Sequence, residues 1–271
     1  MTASPMPRLG MGTWHMGESA AQRATEVAAL REGIELGMRL IDTAEMYADG
    51  RAEEVVAEAI KGRRDDVFLV TKFYPHHASR KELVAACERS LERLGVDGID
   101  LYLLHWRGRV PLEETVEALE RLVETGKVER WGVSNFDVED LEELVRIAGG
   151  GNVFADQVLY NPARRGIEYD LLPWCRKRGV DVMAYSPLDE GALAADRRLA
   201  GIASRLGVTA SQLAIAWVLR QEGVCAIPKA SRAEHVRANA KAREIRLDEA
   251  TLREIDRIFP PPSRKQRLEI I

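Results

Sequence analysis

Residues 99–106 read IDLYLLHW. The first six form a short apolar run that barely alternates, closed by an imidazole and an indole. A strand covered on both faces reads this way, as parallel strands between layers of helices do. The same plan recurs on either side. Short apolar runs fall at Leu9–Gly12, Met38–Ile41, Val67–Thr71, Val128–Val133, Val153–Gln157, Val180–Ala184 and Val224–Ile227. Amphipathic segments lie between them. Arg23–Leu36 places Val27, Leu30 and Ile34 on one face, Lys81–Leu94 places Val84, Cys87, Leu91 and Leu94 there, and Leu112–Thr125 repeats the pattern. Spacings of three and four predict helices with one buried stripe. Gly37, Gly95 and Gly126 stand where a C′ glycine ends a helix, and Pro111 stands at the start of one. Eight such units in 271 residues predict an α/β fold, a single-domain (β/α)8 TIM barrel over residues 1–271. The tail over 259–271, FPPPSRKQRLEII, breaks the composition and is expected to return to the barrel mouth.

In a parallel barrel every strand points the same way, so the C-terminal ends share one mouth. At or just past those ends stand Trp14, Asp42, Lys72, His105 with Trp106, Ser134 with Asn135, Gln157, Tyr185 with Ser186, and Lys229. Tyr47 lies in the loop that Asp42 opens. An acid, a phenol, an amine and an imidazole around one small volume suit proton transfer to a carbonyl oxygen. The chain therefore reads as an enzyme.

Composition narrows the alternatives. With 46% hydrophobic and 30% charged residues and a net charge of −4, nothing marks a nucleic-acid partner or an anionic membrane surface. No apolar run approaches the ~20 residues that span a bilayer. The opening MTASPMPRLG lacks a signal-peptide plan, which points to the cytoplasm. Cys87, Cys175 and Cys225 have no ligand spacing and read as core residues. The five histidines form no cluster with acids, so no metal is expected, and adjacent His76 and His77 are expected to point apart.

The segments LGMGTW (9–14), LIDTAEMYADG (40–50), LVTKFY (69–74), IDLYLLHW (99–106), WGVSNF (131–136), ADQVLYN (155–161), MAYSPL (183–188) and AIPKASR (226–232) are similar, in order, to the blocks of the aldo-keto reductase superfamily. The likeness runs from Leu9 to about Asn239. GTWHMGE (12–18), DTAEMYADG (42–50) and RGIEYDLLPWC (165–175) resemble a bacterial branch that includes methylglyoxal reductases.

The resemblance implies reduction of aldehydes and ketones, small dicarbonyls among them, with NADPH favoured over NADH. Tyr47 would protonate the carbonyl oxygen. Lys72 would lower the phenol's pKa from its usual ~10, with Asp42 holding the ammonium in place. His105 would orient the carbonyl. Ser134, Asn135 and Gln157 would bind the nicotinamide carboxamide and Tyr185 would stack on its ring, with Gly12, Thr13, Trp14 and Asp42 also along the cofactor. Ser186, Pro187 and Leu188 would run beside the pyrophosphate. Lys229, Ala230, Ser231 and Arg232 would meet the 2′-phosphate at a helix start, with His235 and Asn239 beyond. His235 stands where many members carry arginine, and Ala238 where a glutamate often precedes the asparagine. Trp14, Tyr74 and Trp106 would wall the substrate site with Tyr47 and His105. Short rim loops suit small or varied carbonyls, with Arg107 and Arg109 read as solvated and the protein as a monomer. Two rival functions fit the sequence less well. A Schiff-base aldolase needs a neutral Lys72, which Asp42 opposes, and a nucleotide-bound redox sensor or regulatory subunit would leave the intact tetrad without use.

Overall fold

The computed structural model describes residues 5–271, so the opening MTAS lies outside it. Eight strands follow the chain in spatial order, each parallel to the next: β1 (Gly10–Gly12), β2 (Leu40–Asp42), β3 (Phe68–Phe73), β4 (Ile99–Leu104), β5 (Val128–Ser134), β6 (Ala155–Leu159), β7 (Asp181–Tyr185) and β8 (Val224–Ala226). Bridges Leu9–Ala226 and Gly12–Lys229 bring β8 back beside β1 and close the barrel. The outer ring comprises α1 (Ala20–Glu35), α2 (Arg51–Ile60), α3 (Arg80–Leu94), α4 (Leu112–Glu124), α5 (Val138–Leu144) and α6 (Leu171–Arg178). It continues with α7 (Ala192–Ala195), α8 (Arg197–Arg205), α9 (Ala210–Leu219), α10 (Ala233–Lys241) and α11 (Glu249–Ile258).

Side-chain alternation divides the core in two. Leu40, Phe68, Val70, Leu101, Leu103 and Met183 belong to the cluster inside the barrel. Their strand neighbours Ile41, Leu69, Tyr102, Leu104 and Val182 belong to the larger cluster against the helices. The inward series continues in steps of two into polar groups: Leu40 to Asp42, Val70 to Lys72, Leu103 to His105, Ala155 to Gln157, Met183 to Tyr185. Apolar side chains thus fill the barrel, and the last inward position of these strands carries a polar or ionisable group. At the opposite end the Arg130 guanidinium lies 5.5 Å from the Phe68 ring centre and 4.5 Å from that of Phe154. Gly132 of β5 has no alternative, because a Cβ there would sit 2.4 Å from the Ala155 carbonyl oxygen.

Several strands run one or two residues past the sequence-based bounds. Lys72 and Gln157 lie within β3 and β6, and Ser134 and Tyr185 end β5 and β7. Polar side chains there look like strand termini, yet their backbone stays in the ladder. Conversely, β2 starts at Leu40 because the Met38 N–H is taken by Gly33 O at the end of α1. The tail passes over the loops after β5 and β6. Lys265 pairs with Glu139 and lies 3.5 Å from Asp170, Arg164 meets Glu269 at 2.8 Å, and Leu268 packs on the outer core.

Asp156 is the outward residue between Ala155 and Gln157, fully buried, with no well-formed hydrogen bond to either oxygen. Burial holds its carboxyl well above the usual range, and the nearby Phe136 amide only partly relieves this. The folded state therefore keeps a proton that the unfolded chain loses above pH ~4, so this residue lowers stability as pH rises. Asp156→Asn is expected to match wild type near pH 4 and to melt at least ~3 °C higher by pH 8. A constant difference across that range in a thermal-melt series would refute the assignment.

Candidate active site

Asp42, Tyr47, Lys72 and His105 converge although their elements are far apart in sequence. Lys72 has no exposed surface. Its ammonium donates to Asp42 Oδ2 at 2.9 Å, to the Thr43 carbonyl at 2.8 Å and to the Tyr47 hydroxyl at 3.1 Å. An ammonium has three protons, and each has an acceptor. The other Asp42 oxygen accepts from Gln157 Nε2 at 2.7 Å. The Tyr47 ring lies edge-on to His105 at 5.8 Å and to Trp14 at 4.8 Å.

Burial sets the charges. It depresses the Lys72 pKa, but Asp42 and then Tyr47 outweigh it, and the ammonium is held above its usual range. Burial also raises the Tyr47 phenol. Lys72 pulls it down, Asp42 pushes it up again, and the net direction is upward. The expected net lowering by Lys72 is thus corrected: desolvation is larger than the neighbouring charge, and the phenol stays protonated. His105 is driven down to about 2 by burial and then by Lys72, so it is a neutral imidazole. Its Nδ1 is buried without a partner. A proton there would be an orphaned donor, which favours the Nε2–H tautomer.

The polar groups of the next three strands adjoin this cluster. Ser134 Oγ donates to Gln157 O at 2.7 Å, and Asn135 Nδ2 donates to His105 O at 3.1 Å. Asn135 Oδ1 accepts from the Tyr185 hydroxyl at 3.0 Å. Asn135 and Ser186 have φ of 60° and 49°, left-handed values that cost a non-glycine residue ~1 kcal/mol or more. Thr13 is buried against Asp42 O at 3.0 Å, and Gly12 lies where a Cβ would meet Ile227 O at 2.9 Å. Pro187 is buried and Leu188 half-buried in the loop after β7. Lys229 and Arg232 are exposed at the start of α10, whose N-terminus has no side-chain cap. Open N–H groups and two cations fit a phosphate. Arg232 also sits 3.3 Å from Glu234 and 3.0 Å from His235 Nε2. Ala230 and Asn239 are buried and Ser231 is half-buried.

At the mouth, Trp14 and Trp106 are 40% and 37% exposed, and Tyr74 meets Trp106 edge-on at 6.1 Å. His76 and His77 do not point apart. A turn of 3-10 helix over Pro75–His77 brings their rings to 4.2 Å, and His76 stacks on Tyr74 at 4.8 Å. Arg107 is not simply solvated, for it forms two hydrogen bonds with Glu143 at 2.9 and 3.1 Å. Among the described residues no group of three or more His, Cys, Asp or Glu could hold a metal, and all three cysteines are buried and free. Three contributors escaped the sequence reading: the Thr43 carbonyl, Glu45, and Asn161, whose Nδ2 donates to Ser186 O at 2.9 Å. Asn161 follows β6 closely enough to have been suspected; a carbonyl leaves no side-chain signal.

Residues 8–259 match the aldo/keto reductase family. The chain belongs to the aldo/keto reductases. It is 51% identical to the methylglyoxal reductase YeaE of Escherichia coli K12, over 98% of this chain and 95% of that one. It is 34% identical to a glyoxal reductase of Bacillus subtilis, over 93% and 88%. The fold superposes on the crystal structure of an aldo/keto reductase from Klebsiella pneumoniae in complex with NADP and acetate. The TM-score is 0.97 at 54% identity, covering 98% of this chain and 96% of that one.

In this aldo/keto reductase Lys72→Met would strand the Asp42 carboxylate in the barrel. Urea unfolding is expected to show a loss of ~3–5 kcal/mol, with more than half regained when Asp42→Asn is added. A single variant as stable as wild type would show that the pair is not what neutralises the interior.

Proposed function

We propose that the protein reduces aldehydes and ketones to alcohols with NADPH, and that small α-dicarbonyls such as methylglyoxal are among its substrates. The observation that carries this reading is the ammonium of Lys72 shared between the Asp42 carboxylate and the Tyr47 hydroxyl. It keeps a proton-bearing phenol beside a fixed positive charge. The identity to methylglyoxal and glyoxal reductases, and the likeness to a reductase solved with NADP, support the substrate and the cofactor.

Bound NADPH would supply a hydride to the carbonyl carbon. Tyr47 gives its hydroxyl proton to the carbonyl oxygen, so the C=O π pair becomes the new O–H bond. Lys72 stabilises the phenolate left behind, and Asp42 keeps that ammonium from turning away. His105, through Nε2–H, donates to the same oxygen and fixes its direction. Ser134, Asn135 and Gln157 would hold the carboxamide, Tyr185 the ring face, Ser186–Leu188 the pyrophosphate, and Lys229, Ser231 and Arg232 the 2′-phosphate. Gly12, Thr13 and Trp14 border that path, and Trp14, Tyr74 and Trp106 border the substrate. His235 Nε2 accepts from the Arg232 guanidinium at 3.0 Å, and the 2′-phosphate rests mainly on Lys229, Arg232 and the α10 N-terminus. The tail over 259–271 forms part of the rim. The protein acts as a monomer, and a cytoplasmic setting suits its free buried cysteines.

Tyr47→Phe is expected to reduce methylglyoxal turnover ~10²–10⁴-fold while NADPH affinity changes less than about twofold. The wild-type kcat for reduction is expected to be flat from about pH 6 to 9, since His105 is neutral and Tyr47 protonated throughout. A variant that keeps most of its turnover, or an inflection near pH 7, would contradict the assignment.

A further inference from the structure

One buried carboxylate has no part in the chemistry above. Glu45 stands two residues before Tyr47, with only 5% of its side chain exposed. Its backbone N–H donates to Lys72 O at 3.1 Å, which anchors its own loop to β3. Its Oε1 then accepts twice from the next loop. The Tyr74 backbone N–H donates to it at 2.7 Å, and His77 Nδ1 lies at 2.8 Å. The loop after β2 carries Tyr47 and the loop after β3 carries Tyr74, so one carboxylate oxygen ties the two together.

The tie reaches the mouth through packed rings. His77 meets Tyr74 edge-on at 5.9 Å and His76 at 4.2 Å, while Tyr74 stacks on His76 and abuts Trp106. Because the Tyr74 N–H itself is held, the tie acts on the backbone and not only on the ring. Charge-assisted bonds to a buried carboxylate are among the stronger tethers available to a loop.

We propose that Glu45 and His77 are positioning residues that set the Tyr74–His76–Trp106 wall against Tyr47, and so determine how well aromatic carbonyl compounds are held. This rests on the reading of Tyr47 as the acid. A three-carbon dicarbonyl spans little more than Tyr47 and His105. A phenyl substituent must also lie against the rings of the wall, and such contacts weaken sharply with displacements of 0.5–1 Å.

The test compares methylglyoxal and benzaldehyde as substrates, with NADPH, for wild type, His77→Ala and His77→Asn. His77→Ala is expected to raise the benzaldehyde KM about 5–10-fold, with methylglyoxal KM and both kcat values within about twofold. Asparagine keeps an N–H donor for Glu45 but not the ring against Tyr74 and His76, so His77→Asn is expected to recover part of the loss, to a benzaldehyde KM about two- to threefold above wild type. An unchanged benzaldehyde KM in His77→Ala, parallel losses for both substrates, or no rescue by asparagine would each overturn the tie. Wild-type turnover of methylglyoxal without benzaldehyde would overturn it too. Wild type inactive on both would overturn the reductase reading itself, a result distinguishable from the others.

Discussion

Lys72 is a charged side chain with no exposed surface, placed there because β3 continues its inward alternation for one step beyond Val70. Leaving an ammonium unanswered inside a barrel would cost several kcal/mol, so the interior has to supply acceptors. It does so from three directions: a carboxylate on β2, a backbone carbonyl just past it, and a phenol from the following loop. The arrangement proposed for catalysis and the solution to a burial problem are the same set of bonds. Asp42 is needed to keep the lysine charged, the charged lysine lowers the cost of a phenolate, and burial by itself keeps the phenol protonated until a reaction removes the proton.

Strain is concentrated at the same end of the molecule. The non-glycine residues with left-handed backbone are His15, Ala48, Asp49, Asn135, Ser186, Asp189 and Glu190, and each lies in a loop that follows β1, β2, β5 or β7. The opposite face of the barrel contributes none among the described residues. A rigid cylinder of apolar side chains supplies stability, and part of it is spent on holding these loops in conformations that aim Asn135 at Tyr185 and shape the turn after Ser186.

The fold was legible because parallel strands and amphipathic helices leave different periods, and the runs around Leu9, Val67, Ile99 and Val180 are unbroken. The site was legible because its polar groups interrupt those runs at matching places. What the sequence concealed is of three physical kinds. The Thr43 carbonyl acts through backbone, which carries no residue signature. His76 and His77 come together through a single turn of 3-10 helix, too short for periodicity to register. The direction of the Tyr47 pKa depends on a balance between desolvation and Lys72 that neighbouring charges in a sequence do not reveal.

The whole arrangement depends on a protonated phenol beside a charged ammonium at the barrel mouth. It is tested most directly by NMR of protein carrying ¹³Cζ-tyrosine, in which the six tyrosines give six resonances and Tyr47→Phe identifies the one of interest. The Tyr47 signal is expected to stay at the phenol position through about pH 9 to 10. A shift to the phenolate position with a midpoint near pH 7 would contradict it, and would mean that Lys72 rather than burial governs the acid.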